Sequence, residues 1–212
     1  MTKLTGQQIA AEKLDGWAYL FDGLQTRIAT PDFATGLALV NAIGAAAEEM
    51  DHHPDLDLRY TSVDIRLTSH DTGGVTGRDL RLARRIGDLA AAAGLSLDRG
   101  SVSRLEIGLD SPDAQPLRGF YTAVLRTEIR GKDVIDPAGA LPTLWFQPSG
   151  GEEPRQRWHF DLWIDPSEVQ PRIDAALAAG GTLVDDTHAP RFWVLADAEG
   201  NRMCFCTWQD RH

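Results

Sequence analysis

His52 and His53 stand side by side in the run Glu48-Glu49-Met50-Asp51-His52-His53-Pro54, and His70 follows in Thr68-Ser69-His70-Asp71; these are three of the chain's six histidines. A free imidazole titrates near ~6.5, which makes it the side chain best suited to give and take protons at neutral pH. Two adjacent rings at a helix end, with a third after an extended segment, can supply an acid and a base if their surroundings differ. The partial negative charge of a helix C-terminus favours imidazolium at such an end. Glu48 lies one helical turn before His52 and can face the same pocket, where it would bind a donor group on a substrate. A His₃ zinc centre competes for the same residues, but adjacent histidines ligate awkwardly together and no cysteine stands near them. The pattern reads as an acid/base site for a small polar molecule.

The elements that must position these rings follow from patterning. Thr5 to Leu14 reads as a short helix. Trp17–Phe21 and Leu24–Ile28 read as strands around an Asp22-Gly23 turn. Thr30 is a candidate N-cap, with Pro31 at the first helical position. Phe33, Leu37, Val40, Ile43, Ala47 and Met50 then form an apolar helical stripe, and the helix ends by His53 because Pro54 pushes that residue out of the α region. Leu58–Thr68 suits one long strand or two with a break near Tyr60-Thr61-Ser62, and Gly73-Gly74 turns the chain. Thr76 and Asp79 look like a capping box for a helix with Leu80, Ala83, Ile86, Leu89 and Ala93 inward and Gly94 as its stop. The order helix, strand, strand, helix, strand, strand, helix implies an α+β unit, an antiparallel sheet with helices on one face. It brings the end of the second helix and the end of the last strand to one edge.

Whole-chain properties exclude other classes. The 212 residues suffice for two domains, and a net charge of −10 disfavours sequence-independent binding to nucleic acid or anionic membranes. No apolar run reaches the ~18–20 residues of a membrane span, and the N-terminus lacks a signal-peptide layout. Cys204 and Cys206, two apart on a predicted strand, make no disulfide framework, so a reducing cytoplasm is expected.

Trp17, the helix of Phe33, Glu48-x-x-Asp51-His52-His53-Pro54 and Thr68-Ser69-His70-Asp71-x-x-Gly74-Val75-x-x-x-Asp79 resemble the pterin-4a-carbinolamine dehydratases over about residues 1–95. The resemblance implies dehydration of 4a-hydroxytetrahydropterin to quinonoid dihydropterin without metal or cofactor, in a homo-oligomer. It implies His52 and His70 as the acid/base pair, His53 positioning the substrate, and Glu48, Thr68 and Ser69 contacting the pterin edge. Leu56 departs from the Trp that many members carry there.

Leu95–Ser101 reads as a short linker. Beyond it a strand–helix–strands pattern occurs twice, from Arg104–Asp110 and again from Trp158–Asp165, with helices through Phe120–Leu125 and Ser167–Ala179. His159 with Asp165, and Asp197-x-x-Gly200-Asn201-x-Met203-Cys204, resemble the glyoxalase-like, or vicinal-oxygen-chelate, fold over about residues 102–209, with paired βαβββ units around a cup. Metal-binding members carry His or Glu at four strand positions; here these hold Arg104, a residue near Trp145–Gln147, His159 and Cys204. Arg104 opposes a cation, so no standard metal site is expected; Arg104, His159 and Cys204 are candidates for contact with a second small molecule. The expected division is 1–95 and 102–212, with a lyase in the first part. The alternatives are a binding cup served by a dimerising or regulatory first half, or a cup that is itself a metal-dependent glyoxalase- or dioxygenase-type enzyme.

Overall fold

The structure is a computed structural model that describes residues 2–149, 157–197, 200 and 202–211, without the side chains of Phe120, Ala123 and Val124. Asn201 of the second sequence pattern, and the Phe120 and Val124 side chains of the predicted helix, lie outside the described residues. Two compact units emerge, one running to Ser103 with Ile164–Pro166 added, the other formed by Arg104–Trp163 and Ser167–Asp210. No helix among the described residues is long and apolar enough to cross a membrane.

In the first unit, α1 (Gly6–Ala11) is capped by Thr5 and Gln8 in a capping box. Strands β1 (Ala18–Leu20) and β2 (Gly23–Ala29) form a hairpin whose central residues are Phe21 and Asp22, both at positive φ. The turn therefore falls one residue before the expected Asp22-Gly23. Positive φ at both centres matches the strands' right-handed twist, and Asp tolerates it. Gly23 is needed instead for space: a Cβ there would meet the Arg66 guanidinium and the Leu67 carbonyl at 3.0–3.3 Å.

Helix α2 (Phe33–Met50) starts from Asp32, whose carboxylate accepts from the Thr35 N–H at 2.7 Å. Thr30, the expected cap, is drawn into the sheet, its N–H donating to the Thr61 carbonyl at 2.8 Å. The buried stripe of α2 runs through Gly36, Leu39, Ile43, Ala46 and Ala47. Phe33 and Leu37, expected inside, fall at its edge and stand in solvent. Strands β3 (Asp55–Arg59) and β4 (Ser62–Leu67) resolve the single-or-double question as two, joined at Tyr60-Thr61. Helix α3 (Gly77–Ala92) carries the expected box, Thr76 with Asp79, but Ala90 rather than Ala93 is buried, since Ala93 is already the C-cap. Part of the presumed linker is strand β5 (Leu97–Asp98), paired with β2.

The sheet order is β1-β2-β4-β3, antiparallel throughout. Leu24 and Ile28 of β2 and Val63, Ile65 and Leu67 of β4 share one face, packed with Leu39 and Ile43 of α2 and Leu82 and Ile86 of α3 in a single core. Period-2 burial on β4 and period-3.6 burial on the helices produce this layering.

The second unit repeats a βαβββ motif. β6 (Arg104–Ser111), α4 (Gln115–Leu125), β7 (Glu128–Arg130), β8 (Asp133–Ile135) and β9 (Thr143–Pro148) make the first copy. β10 (Trp158–Trp163), α5 (Val169–Ala178), β11 (Thr182–Asp185), β12 (Phe192–Ala196) and β13 (Arg202–Cys206) make the second, with a 3₁₀ turn at Pro166–Glu168 before α5. The sheet order is β11-β12-β13-β10-β6-β9-β8-β7, and antiparallel pairing of β10 with β6 joins the copies. Leu109, Val134 and Leu144 pack under Leu117 and Tyr121 of α4. Alternation then turns Glu106, Gly108, Asp110, Trp145, His159, Asp161 and Cys204 to the face away from α4.

Candidate active site

The geometry of the histidine edge starts at the end of α2. Asp51 adopts the left-handed conformation at φ 48°, tolerable for Asp, and reverses the chain so that the His52 N–H returns to the Ala47 carbonyl at 3.1 Å. This folds His52 back under the helix end, where it is 7% exposed. Its Nε2 lies 2.8 Å from Oδ1 of Asp79, a residue with no solvent exposure.

Asp79 is the third residue of α3 and accepts on several sides at once. Its Oδ2 receives the Thr76 N–H at 2.7 Å, the Ser69 hydroxyl at 2.7 Å and the Thr76 hydroxyl at 3.2 Å. Ringed by donors at a helix N-terminus, this carboxyl group serves as an acceptor. The ring of His52 presents N–H at Nε2, and the neutral ring then carries its lone pair on Nδ1.

A pocket of about 390 Å³ opens here, lined by Asp51, His52, His53, Pro54, Asp55 and Thr68 to Asp71, together with Arg78. His53 and His70 are both exposed at it. His53 Nε2 lies 3.1 Å from Glu48 Oε1; Glu48 itself is mostly exposed and is not among the lining residues. Thr68 and Ser69 line the wall with their hydroxyls already engaged, Thr68 donating to the Asp22 carbonyl at 3.0 Å and Ser69 to Asp79. The Arg78 guanidinium hydrogen-bonds Asp71 and holds that carboxyl below the usual carboxylate range. Arg78 Nε is buried and has no partner among the described residues. Leu56, the departure from the resembled pattern, packs against the core.

Spacing thus marked the three histidines, and the fold gathers all three around one pocket. Arg78 and the partnership of Asp79 with His52 were missed. Asp79 carried a visible signal, a capping residue, which concealed its second bond.

On the second unit, the three cup candidates separate. His159 lies over Gly108, where any Cβ would come within 2.3 Å of Nε2. Its Nδ1 is 3.3 Å from Asp161 Oδ1, its Nε2 is 3.7 Å from Asp110 Oδ1, and its ring meets Trp145 edge-on at 5.0 Å. The Asp161 hydrogen bond, against the cost of burial, raises the His159 pKa. Cys204 is the strand partner of Asp161, and burial together with that carboxylate pushes its thiol up to about 12. Arg104 shares the face and stands opposite Trp163 on β10.

Residues 2–89 match the family described as pterin 4 alpha carbinolamine dehydratase, and residues 106–206 match a glyoxalase-like domain. Among relatives, proteins of Aquifex aeolicus (strain VF5) and Thermomicrobium roseum carry the name pterin-4-alpha-carbinolamine dehydratase provisionally. The first is 38% identical over 89 residues, 41% of this chain and 90% of its own. The second is 38% identical over 93 residues, 43% of this chain and 100% of its own. A solved transcriptional coactivator/pterin dehydratase from Brucella melitensis aligns with 42% of this chain and 99% of its own, at 29% identity and TM-score 0.41. A glyoxalase/bleomycin resistance protein/dioxygenase superfamily member from Vibrio splendidus 12B01 aligns with 50% of this chain and 99% of its own, at 12% identity and TM-score 0.35.

Proposed function

We propose, for a chain that belongs to the pterin-4a-carbinolamine dehydratase family through residues 2–89, that the histidine edge dehydrates 4a-hydroxytetrahydropterin to quinonoid dihydropterin. In that reaction the C4a–O bond breaks, the hydroxyl takes a proton and leaves as water, and N5 loses its proton as the N5=C4a double bond forms. No electrons are exchanged with an external partner. The observation that carries the reading is His52, buried and oriented by Asp79, at a pocket shared with two exposed histidines.

His52 takes the N5 proton on Nδ1, and the Asp79 carboxylate offsets the charge that forms on its ring. His70, exposed at the same pocket, gives a proton to the departing hydroxyl. His53, braced by Glu48, positions the substrate. Thr68 and Ser69 shape the wall that meets the pterin edge, and Arg78, which lines the same pocket, offers its guanidinium to a substrate oxygen. A pocket of about 390 Å³ suits a bicyclic ring of this size.

Residues 1–95 carry the dehydratase and 102–212 the glyoxalase-like part in this reading. Cys204 and Cys206, not joined in a disulfide, support a reducing cytoplasm, and the exposed Phe33 and Leu37 of α2 support a homo-oligomer. The test is turnover of 4a-hydroxytetrahydropterin by the full chain. His52→Ala and His70→Ala should each lower kcat by about 10²–10⁴-fold, as loss of a general acid or base does. Absence of turnover in folded protein, or variants as active as the parent, would end the proposal.

A further inference from the structure

The helix-covered face of the second unit holds a pocket for which dehydration has no use. Its volume is about 380 Å³, and it is lined by Leu109 of β6, Leu117 and Tyr121 of α4, Trp158 of β10 and Arg157 just before that strand. We propose that this pocket binds a small aromatic carboxylate, its ring against Tyr121 and Trp158 and its carboxylate on the Arg157 guanidinium. Trp158 is the strand partner of Leu109, which packs under α4, so both side chains point toward the helix. His159, the next residue along, points to the other face. The sheet itself therefore separates this pocket from the cup.

Three observations carry the proposal. The first is the bonding of Arg157. Its Nε and Nη2 both donate to the Asp110 carbonyl, at 3.4 and 3.3 Å, which uses one side of the guanidinium and fixes its plane. The end-on edge, Nη1–H with the second Nη2–H, makes no hydrogen bond among the described residues. That edge is the one that matches the two oxygens of a carboxylate in a bidentate pair. The second is charge. Arg157 is the one ionised group among the lining residues, on a chain of net charge −10, and the Asp110 carboxylate is turned to the other face, 3.7 Å from His159. A wall whose single charge is positive favours an anion. The third is aromatic surface. The Tyr121 ring meets Trp158 edge-on, with centroids 5.8 Å apart and planes at 86°. Trp158, the largest apolar side chain of the wall, is nevertheless 39% exposed, and a flat ring laid on it would take that surface out of water.

These walls narrow the ligand class. A volume of about 380 Å³ lies near the lower end of the ~300–1,000 Å³ usual for ligand pockets and suits one or two fused rings. Leu109 and Leu117 offer no side-chain hydrogen bond, so the ring edge that meets them is apolar. A phosphate ester would bring a second negative charge that finds no second cation among the lining residues. A neutral aromatic would leave the end-on edge of Arg157 without the partner its geometry fits. No residue of the histidine edge takes part, so the proposal stands apart from the dehydratase reading.

The test titrates the full chain by calorimetry with 2-naphthoate and with its neutral match, 2-naphthamide. One equivalent of the carboxylate should bind, at least about tenfold more tightly than the amide. Arg157→Gln should abolish that preference by weakening the carboxylate alone, and Arg157→Lys, which keeps the charge and loses the fork, should restore only part of it. Trp158→Leu should weaken both probes. His159→Gln and His53→Ala should change neither. A readout without any substitution guards against variants that do not fold: bound naphthoate should slow amide hydrogen exchange in the peptides around Leu117 and Tyr121 and around Arg157 and Trp158. The proposal fails if folded protein shows no saturable binding of naphthoate, or if the amide binds as tightly. It fails equally if affinity follows His159 or His53 instead of Arg157, or if exchange in those peptides is unchanged at saturating probe.

Discussion

Replacing Asp79 with Asn isolates the role of the carboxylate, because the change is nearly isosteric at a position with no solvent exposure. One side of the residue is fixed: the Thr76 backbone N–H, 2.7 Å away, cannot turn and requires an acceptor. The Asn carbonyl must therefore face Thr76, and its NH₂ must face His52 Nε2 across the present 2.8 Å. The ring then has to accept at Nε2 and carry its proton on Nδ1, the atom assigned to the substrate. A catalytic imidazole held in the wrong tautomer costs up to about 10⁴ in rate, and general-base loss typically about 10²–10⁴. The expected result is a kcat lower by about 10²–10⁴-fold with KM within about threefold, since binding and proton transfer part company here. The lost charge-assisted bonds should also destabilise the unit by about 1.5–3 kcal/mol, read by urea unfolding. Ser69→Ala is the comparison: it removes a donor to the opposite oxygen at 2.7 Å and should cost about 1 kcal/mol; lying in the pterin-facing wall, it should act on KM and leave kcat within about threefold. The reasoning is refuted if Asp79→Asn is folded and turns over like the parent, or if Ser69→Ala slows the reaction as much.

Further outcomes can be measured without substrate. Tyr19, whose phenol donates to Asp22 at 3.4 Å, is pushed from 10.0 up to about 12, chiefly by burial. Its folded value is the higher one, so its contribution to stability is whole below pH 10 and lost as pH rises from there through 12; Tyr19→Phe should remove the late component of a tyrosinate absorbance titration. Asp51→Val places a β-branched residue at φ 48° and should destabilise by about 1–2 kcal/mol in urea unfolding; no change would contradict the left-handed turn. Gly108→Ala should cost about 1–3 kcal/mol by forcing the His159 ring off the strand, seen as a lower melting temperature. For the proposed homo-oligomer, Phe33→Asp with Leu37→Asp should lower the mass seen by light scattering without unfolding the chain, because both side chains stand in solvent on this chain.

Patterns that act locally were readable and those settled by distant partners were not. The capping box of Thr76 and Asp79, the Pro54 boundary and the alternation of Val63, Ile65 and Leu67 each state their own reason within a few residues. Thr30 and Asp32 are equally good caps on paper; the Thr61 carbonyl across the sheet decides between them. Phe33 and Leu37 keep helical spacing, yet the core under α2 is centred on Leu39 and Ile43, and only the packed sheet fixes that rotation. At the site, spacing found His52, His53 and His70 but not the bond spanning 27 residues from His52 to Asp79.

The Thr76 amide and the His52 ring bond the two oxygens of one carboxylate, so the amide is an internal spectrometer for the ring. A substrate that draws on His52 changes how strongly Asp79 pulls on Thr76 N–H. One backbone resonance, on a residue that never meets the ligand, would then report each protonation event by its chemical shift and its exchange with solvent.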